Sequence, residues 1–294
     1  MENMFEFSEL FPWLGLLIGS CLGSFLNVVA YRLPRDESVV SPRSKCPSCQ
    51  KPIPWSINLP LLGWLYLKGR AQCCGAKISP RYPIVEGTVG LLFAWIFYSF
   101  MLDQDVGIFV SSCLFVWIMI GVVVIDFETM LIPDRFSIGG ACLGLCLSIY
   151  FPSLHMVEFS SIGASRFYST MTSLTGILIG SGLLYWIGAV AGRIMGREAL
   201  GEGDVKLLGC IGAVCGWQGA VFSIFGGALL GCLLFLPILV LQKIKLSPFK
   251  GHQPLGFGVE LPFGPYLAMA GLGYFFGLSH WIDPWFGWTK NCVF

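Results

Sequence analysis

Charge is what this chain has least of. Asp, Glu, Lys and Arg supply 12% of its 294 residues, 55% are hydrophobic, and the mean hydropathy is +0.74. Soluble domains carry roughly 25% charged residues, so a soluble protein of this size is excluded and an integral membrane protein is expected. Other absences narrow the reading. No Gly-x-Gly-x-x-Gly motif follows a strand, and the one sizeable polar segment is too short for a doubly wound nucleotide-binding domain. The first apolar run has no basic flank: Glu2, Glu6 and Glu9 precede it, whereas a secretory signal peptide needs positive charge there. That run is expected to remain as the first membrane helix.

What is present is a series of apolar runs approaching the roughly 20 residues that cross a bilayer. They cover Phe11 to Ala30, Ile84 to Met101, Ile108 to Ile125, Phe136 to Phe151, Met171 to Gly192, Val205 to Gly216, Ala220 to Leu241 and Leu261 to Trp281. The expected fold is therefore all-α and polytopic, with about eight transmembrane helices. Leu207 to Gln242 holds no charge, and as one helix it would be about 54 Å long against a hydrocarbon core of roughly 30 Å. A turn at Gly216-Trp217-Gln218-Gly219 is expected to divide it, leaving a short sixth element that enters the membrane only partly. Gly15, Gly19 and Gly23 recur every four residues, as do Gly176 with Gly180 and Gly227 with Gly231, a spacing that lets helices approach closely. Cys21, Cys113, Cys142, Cys146, Cys210, Cys215 and Cys232 read as small apolar residues inside the runs.

The few charges are placed asymmetrically. Every Lys and Arg except Arg166 and Lys290 lies in Tyr31 to Pro83, Asp126 to Arg135, Arg193 to Lys206 or Gln242 to Glu260, segments that eight crossings put on one side. The positive-inside rule makes that side cytoplasmic and leaves both chain ends outside, where Trp281, Trp285 and Trp288 read as an interfacial aromatic belt. Two aspartates then share the cytoplasmic face. Asp126 closes the run Val122-Val123-Val124-Ile125, and Asp204 opens the next helical element within Gly201-Glu202-Gly203-Asp204-Val205-Lys206. Carboxylates at the edge of hydrocarbon are costly and tend to be functional. Two of them within a few ångströms share one proton, so the ionised member can activate water while the protonated member donates to a scissile carbonyl oxygen. Such a dyad titrates as a unit. Structural roles stand beside this reading: Asp204 as a helix N-cap preceded by turn-forming glycines, Asp134 as a cap after Pro133, and Glu128 as a solvated interfacial residue.

Between the first two runs lies a basic segment with nine Lys and Arg against Asp36 and Glu37. It carries Cys46-Pro47-Ser48-Cys49 early and Cys73-Cys74-Gly75 late. A segment of about 50 residues is marginal as an independent core, and a cytoplasmic one is kept reduced, so a zinc staple is favoured over disulfides. The alternative is two unrelated thiol pairs, which the adjacency of Cys73 and Cys74 leaves open. Neighbouring side chains in an extended segment point apart, so these two are expected to reach one metal together only awkwardly; either a tight turn recruits Cys73 or another group completes the site. Beside a membrane the basic excess serves orientation and anionic lipid rather than nucleic acid. The expected divisions are 1–30 (first span), 31–83 (cytoplasmic cysteine segment) and 84–294 (seven-helix membrane core).

Several of these features occur together in one known family. Asn27-Val28-Val29-Ala30-Tyr31-Arg32-Leu33-Pro34, Cys46-Pro47-Ser48-Cys49, Ile78-Ser79-Pro80-Arg81-Tyr82-Pro83-Ile84-Val85-Glu86, Asp126 with Ile132-Pro133-Asp134, and Gly201-Glu202-Gly203-Asp204-Val205-Lys206 follow the order and context of the bacterial type IV prepilin peptidases. The chain resembles that family over nearly its whole length. The resemblance implies a bifunctional intramembrane aspartyl protease of the bacterial inner membrane. Such an enzyme cleaves the leader from prepilins and type II secretion pseudopilins at the cytoplasmic face, then N-methylates the new N-terminal residue with S-adenosylmethionine. It implies Asp126 and Asp204 as the catalytic pair. Asn27, Arg81 and Glu86 are implied at the methyl-donor site by motif position, with interfacial hydrogen bonding and a local ion pair as their plain alternatives. For the metal it implies Cys46, Cys49 and Cys74, the last because it precedes Gly75; Ala71 stands where another cysteine is expected, and Cys73 is the weaker candidate.

Two other classes place carboxylates or cysteines similarly. An ion-coupled transporter shows internal repeats and midplane charges, whereas these aspartates lie at one face; a non-catalytic assembly factor needs no dyad. The topology is directly testable with variants that retain a single one of these cysteines. Membrane-impermeant thiol reagents applied to intact cells should label Cys292 and leave Cys49 unlabelled; labelling of Cys49 from outside would reverse the orientation.

Overall fold

A computed structural model describes residues 2–41, 43–46, 48–54, 57–157, 159–196, 200–243 and 262–286. Among these residues the fold is helical, and extended pairing is limited to two isolated bridges. The helices are α1 (Glu2–Arg32), α2 (Leu62–Tyr66), α3 (Arg81–Asp103), α4 (Val106–Thr129), α5 (Asp134–Tyr150), α6 (Ile162–Met195), α7 (Glu202–Lys243), α8 (Gly264–Gly273) and α9 (Ser279–Ile282). Pro47, Trp288, Cys292 and most of the expected cytoplasmic stretch from Gln242 to Glu260 lie outside the described residues.

Among the described residues five stretches are long and apolar enough to cross a membrane: Leu10–Arg35, Arg81–Asp103, Val106–Thr129, Ile162–Met195 and Glu202–Pro237. The remaining expected runs take other forms. Phe136 to Phe151 becomes α5, a helix of 17 residues. The run from Leu261 to Trp281 becomes α8, a π-turn over Tyr274–Leu278 in which Phe276 and Gly277 leave helical geometry, and the single turn of α9. The long uncharged stretch is α7, and its backbone does break at Gly216, with φ 70° and ψ 179°, a conformation open to glycine and strained for other residues. The break is one residue long, so helix resumes at once on either side of it.

Local chemistry sets the helix ends nearest the sites. Gln104 adopts the left-handed conformation at the end of α3 and returns its N–H to Phe100 O at 2.7 Å. Asp105 then caps α4, its Oδ1 accepting the Ile108 N–H at 2.8 Å. At the far end of α4, Met130 turns left-handed and donates to Asp126 O at 2.9 Å. Pro133 holds the next step extended at ψ 137° before α5 begins.

The chain forms two compact units, Met1–Ile125 and Asp126–Phe294. In the first, α1 lies against α3 along its glycine stripe. A Cβ at Gly15 would stand 2.7 Å from Phe97 Cγ, one at Gly19 2.6 Å from Phe93 Cβ and 2.7 Å from Val89 O, and one at Gly23 2.9 Å from Glu86 Cα. The expected close approach is therefore present at all three positions. Trp117 Nε1 of α4 donates to Leu22 O at 3.4 Å, and Phe97 and Phe109 meet edge-on at 5.0 Å, joining α4 to the pair.

In the second unit the first segment of α7 is the centre. Leu207, Leu208, Cys210, Ile211 and Ala213 have no exposed surface. A Cβ at Gly176 of α6 would overlap Gly212 O, one at Gly144 of α5 would lie 2.9 Å from Ala213 Cβ, and one at Gly271 of α8 3.1 Å from Ile211 Cγ2. Gly180 and Gly227 make similarly tight approaches to Leu208 O and Leu267 N, whereas Gly231 meets only the Tyr266 ring at ordinary contact distance. Helices gain little from hydrophobic sorting inside lipid, so this close packing carries much of their association. Gly19→Leu should force α1 off α3 and destabilise the protein by about 1–3 kcal/mol, read as a lowered melting temperature in detergent; an unchanged melting temperature would mean that the stripe is not a packing surface.

Candidate active site and cysteine cluster

Asp126 and Asp204 come from different helices and are both buried, at 4% and 9% exposure. Asp126 is in the last turn of α4 and Asp204 in the first turn of α7. The N–H of Gly264, the first residue of α8, is directed at the Asp126 carboxylate, so the N-terminal end of that helix supplies it with a donor and a favourable dipole. Asp204 accepts the N–H of Gly201, the residue before its own helix, and the Asp126 charge acts on it directly. The two carboxylates thus belong to one electrostatic site. Asp204 does not occupy the N-cap position; it reaches back from the third helical residue, a capping-box contact compatible with a second role.

Ile132 and the glycines shape the space around the pair. A Cβ on Gly264 would stand 2.5 Å from Asp126 Oδ2 and 2.8 Å from Ile132 Cδ1, and one on Gly203 would be 3.1 Å from Ile132 Cβ. Only glycine at 264 leaves the Asp126 carboxylate where it is. Sequence reasoning missed Gly264. The available signal was Gly264-Pro265, a pair suited to a helix start, beside Glu260 at the same expected face as both aspartates. Asp134 is corrected: Pro133 occupies the cap position of α5 without a side-chain cap bond, and Asp134 accepts from Lys206 Nζ at 2.8 Å, tying α5 to α7. That pair is partly exposed and worth at most about 1 kcal/mol. Glu128 is exposed, as expected.

In the first unit the sulfurs of Cys46, Cys49, Cys73 and Cys74 lie within 4.8 Å of one another. Cys49 and Cys73 are 3.2 Å apart, Cys46 and Cys74 3.7 Å, and Cys73 and Cys74 3.9 Å. Four sulfurs around a tetrahedral zinc at about 2.3 Å stand about 3.8 Å apart, so the set fits the ion. The turn closed by Gly75 N–H on Ala71 O, at 2.7 Å, brings Cys73 and Cys74 to the same point, which an extended segment would not. Backbone N–H groups of Cys49 and Ser48 pull the Cys46 thiol down to about 6, while the hydrogen bond with Cys49 pushes Cys73 up to about 12. A metal bound by the four sulfurs would hold them as thiolates.

The same unit holds a half-open cavity of about 890 Å³ lined by Ser24, Asn27, Cys46, Trp64, Cys73 and Glu86 among others. Asn27 and Glu86 are buried, and Asn27 Oδ1 has no hydrogen-bond partner among the described residues. Asn27 Nδ2 donates to Tyr82 O at 3.3 Å, and Glu86 Oε2 accepts the Leu61 N–H at 2.7 Å. Two of the three residues expected at a donor site therefore meet at one cavity. Arg81 does not line it; its guanidinium lies 5.2 Å from the ring of Tyr82, which does.

Comparison with known proteins matches residues 17–100 to the bacterial peptidase A24 N-terminal domain and residues 113–236 to the type IV leader peptidase family. Among similar curated proteins is the prepilin leader peptidase/N-methyltransferase of Aeromonas salmonicida strain A449, 33% identical over 92% of this chain and 94% of that one. Proteins of the same name from Pectobacterium carotovorum subsp. carotovorum and Klebsiella pneumoniae are 33% identical over 92% of this chain and 96% of that one, and 35% identical over 72% and 90%. No solved structure matches the chain.

The Gly264 contact generates a double-mutant test. Gly264→Ala should destabilise the protein, and the loss should shrink by about 1 kcal/mol or more when Asp126→Ala is also present, because the added methyl then has room. Strict additivity of the two melting-temperature changes would show that the side chains do not meet.

Proposed function

The chain belongs to the type IV leader peptidase family, and on that footing we propose that it cleaves the leader from prepilins and pseudopilins and then N-methylates the new N-terminal residue. The observation that carries the cleavage reading is the convergence of two buried aspartates from α4 and α7 on one site. Asp126 and Asp204 are the catalytic pair and share one proton. The ionised carboxylate takes a proton from water as its oxygen attacks the scissile carbonyl carbon, and the protonated carboxyl gives its proton to the carbonyl oxygen. Collapse of the resulting diol returns a proton to the departing amine and breaks the C–N bond. A Cβ at Gly201 would meet Asp204 Oδ2 at an ordinary 3.7 Å, and with glycine there an extended peptide can approach the pair from that side.

The methyl donor fits the cavity of the first unit. S-adenosylmethionine, when bound, supplies an electrophilic methyl group. Its cationic groups suit the buried Glu86 carboxylate and the Asn27 Oδ1 acceptor, and the cavity volume lies within the range of small-molecule sites, roughly 300–1,000 Å³. Trp64, held by its Nε1 donation to Ile78 O at 3.3 Å, offers an aromatic face, and Arg81 acts through Tyr82. Cys46, Cys49, Cys73 and Cys74 hold one structural zinc. The protein sits in the bacterial inner membrane with eight crossings, the aspartates and the cysteine segment toward the cytoplasm, a reading supported by the placement of Lys and Arg. The divisions at 1–30, 31–83 and 84–294 follow from the same topology. Its partners are prepilin and pseudopilin precursors and membrane lipid, and the basic segment meets anionic headgroups rather than nucleic acid.

Incubation of purified protein with a prepilin and the donor, followed by product masses, tests both activities at once. Asp126→Asn and Asp204→Asn should each reduce cleavage by at least about 10³-fold while the protein still folds in the membrane; near-normal processing by either variant would remove that aspartate from the mechanism. Glu86→Gln should lower the methylated share of cleaved product and weaken donor binding measured by equilibrium dialysis, each by about tenfold or more. Unchanged donor affinity would move the donor site elsewhere.

A further inference from the structure

The short helix α2 has two unlike sides. Gly63, Trp64 and the following Leu67 line the cavity of the first unit, whereas Leu62, Leu65 and Tyr66, three and four residues apart on the other side, are 64%, 61% and 80% exposed. Three large apolar side chains grouped on an otherwise basic segment mark a contact surface. The attachment of α2 fixes its level along α3. Glu86 Oε2 accepts the Leu61 N–H at 2.7 Å, and a Cβ on Gly87 would meet Leu61 Cδ2 at 3.6 Å. Leu62 N–H closes on Pro60 O at 2.6 Å around Leu61, which holds φ 61° and ψ −54°, a γ-turn that is strained for a residue with a side chain. The buried Glu86 carboxylate thus secures a strained turn at one level of the helix. That level lies five to six residues inside α3 from Arg81, about 8–9 Å along its axis.

Ile84, Leu91, Trp95 and Tyr98 form an exposed apolar stripe on α3, which is long and apolar enough to cross a membrane. Gly87 follows Ile84 by three residues and precedes Leu91 by four, so the Leu61 contact borders that stripe and the exposed side of α2 continues it. Lys68 and Arg70, both exposed, come directly after α2 and suit anionic headgroups. We infer that α2 is a membrane anchor: Leu62, Leu65 and Tyr66 enter the cytoplasmic leaflet beside α3, while the opposite side of the same turn walls the cavity. The level of the Leu61 contact agrees with the depth of interfacial helices, whose apolar faces reach roughly 5–10 Å into the headgroup and acyl boundary. The bilayer then holds one wall of the cavity in place. The inference rests on the reading of α3 as a span whose Arg81 end is cytoplasmic. The other occupants of such a face, the apolar helix of a prepilin and a second copy of this chain, are outcomes of the test.

The test uses full-length protein in bilayers of phosphatidylethanolamine and phosphatidylglycerol. In the first measurement the wild-type chain meets a phospholipid carrying a photoreactive diazirine in its acyl chain, and mass spectrometry reads the adducts. Leu62, Leu65 and Tyr66 should be labelled within about threefold of Leu91 on the α3 stripe, and at least about tenfold more than the exposed Lys77 of the same segment. In the second, p-benzoylphenylalanine replaces Leu62, Leu65 or Tyr66 one at a time, and the protein is irradiated with a purified prepilin present. The adducts should again be phospholipid. Labelling of Leu91 without labelling of α2 overturns the anchor alone, as do adducts to the prepilin or to a second copy in place of lipid. No labelling at Leu91 overturns the reading of α3 as a span together with the anchor.

Discussion

Gly176 of α6 and Gly212 of α7 approach so closely that a Cβ on either would run into the backbone of the other, and this contact fixes the axis of the first α7 segment. Gly144 of α5 and Gly271 of α8 press on the same segment from other sides. A helix held on several faces cannot rotate or slide, so Asp204 at its start is presented in one orientation. The break at Gly216 has its use here. It lets the buried first segment take the direction the site needs while the later, more exposed part of α7 takes another.

The second carboxylate is placed by a different device. Asp126 remains helical in the last turn of α4, and the chain leaves that helix through the left-handed Met130 and the extended Pro133. This return carries Ile132 between Gly203 and Gly264 and brings the start of α8 onto Asp126. Three segments distant in sequence thereby converge, and two of the three contacts require the absence of a side chain. Burying carboxylates is costly unless donors face them, and here Gly264 and Gly201 supply backbone N–H groups.

Much of this was legible in the sequence because it follows from solvent. Apolar runs, their length limit, the glycine stripes at Gly15, Gly19 and Gly23, and the break near Gly216 all come from the physics of a helix in lipid. The aspartates were legible for the same reason, since charge is rare in such runs. Gly264 was not, because its role exists only once α4 and α8 meet, and no local pattern reports that meeting. The approach of Cys73 to the other three sulfurs was not legible, because its segment was read as extended and the turn that brings it there depends on backbone bonds across residues 69–78. Asn27 and Glu86 came from motif position, and their convergence on one cavity became visible only when α1, α3 and the cysteine turns were packed together.

The central claim is that Asp126 and Asp204 act as one dyad sharing a proton. The pH dependence of kcat/KM for prepilin cleavage, measured over roughly pH 4 to 9 with protein stability checked at each point, addresses it most directly. A shared-proton pair predicts a bell, with cleavage lost both when the dyad is fully protonated and when it is fully ionised. A rate that rises to a plateau and stays there would mean that no protonated carboxyl is needed, and would contradict the dyad.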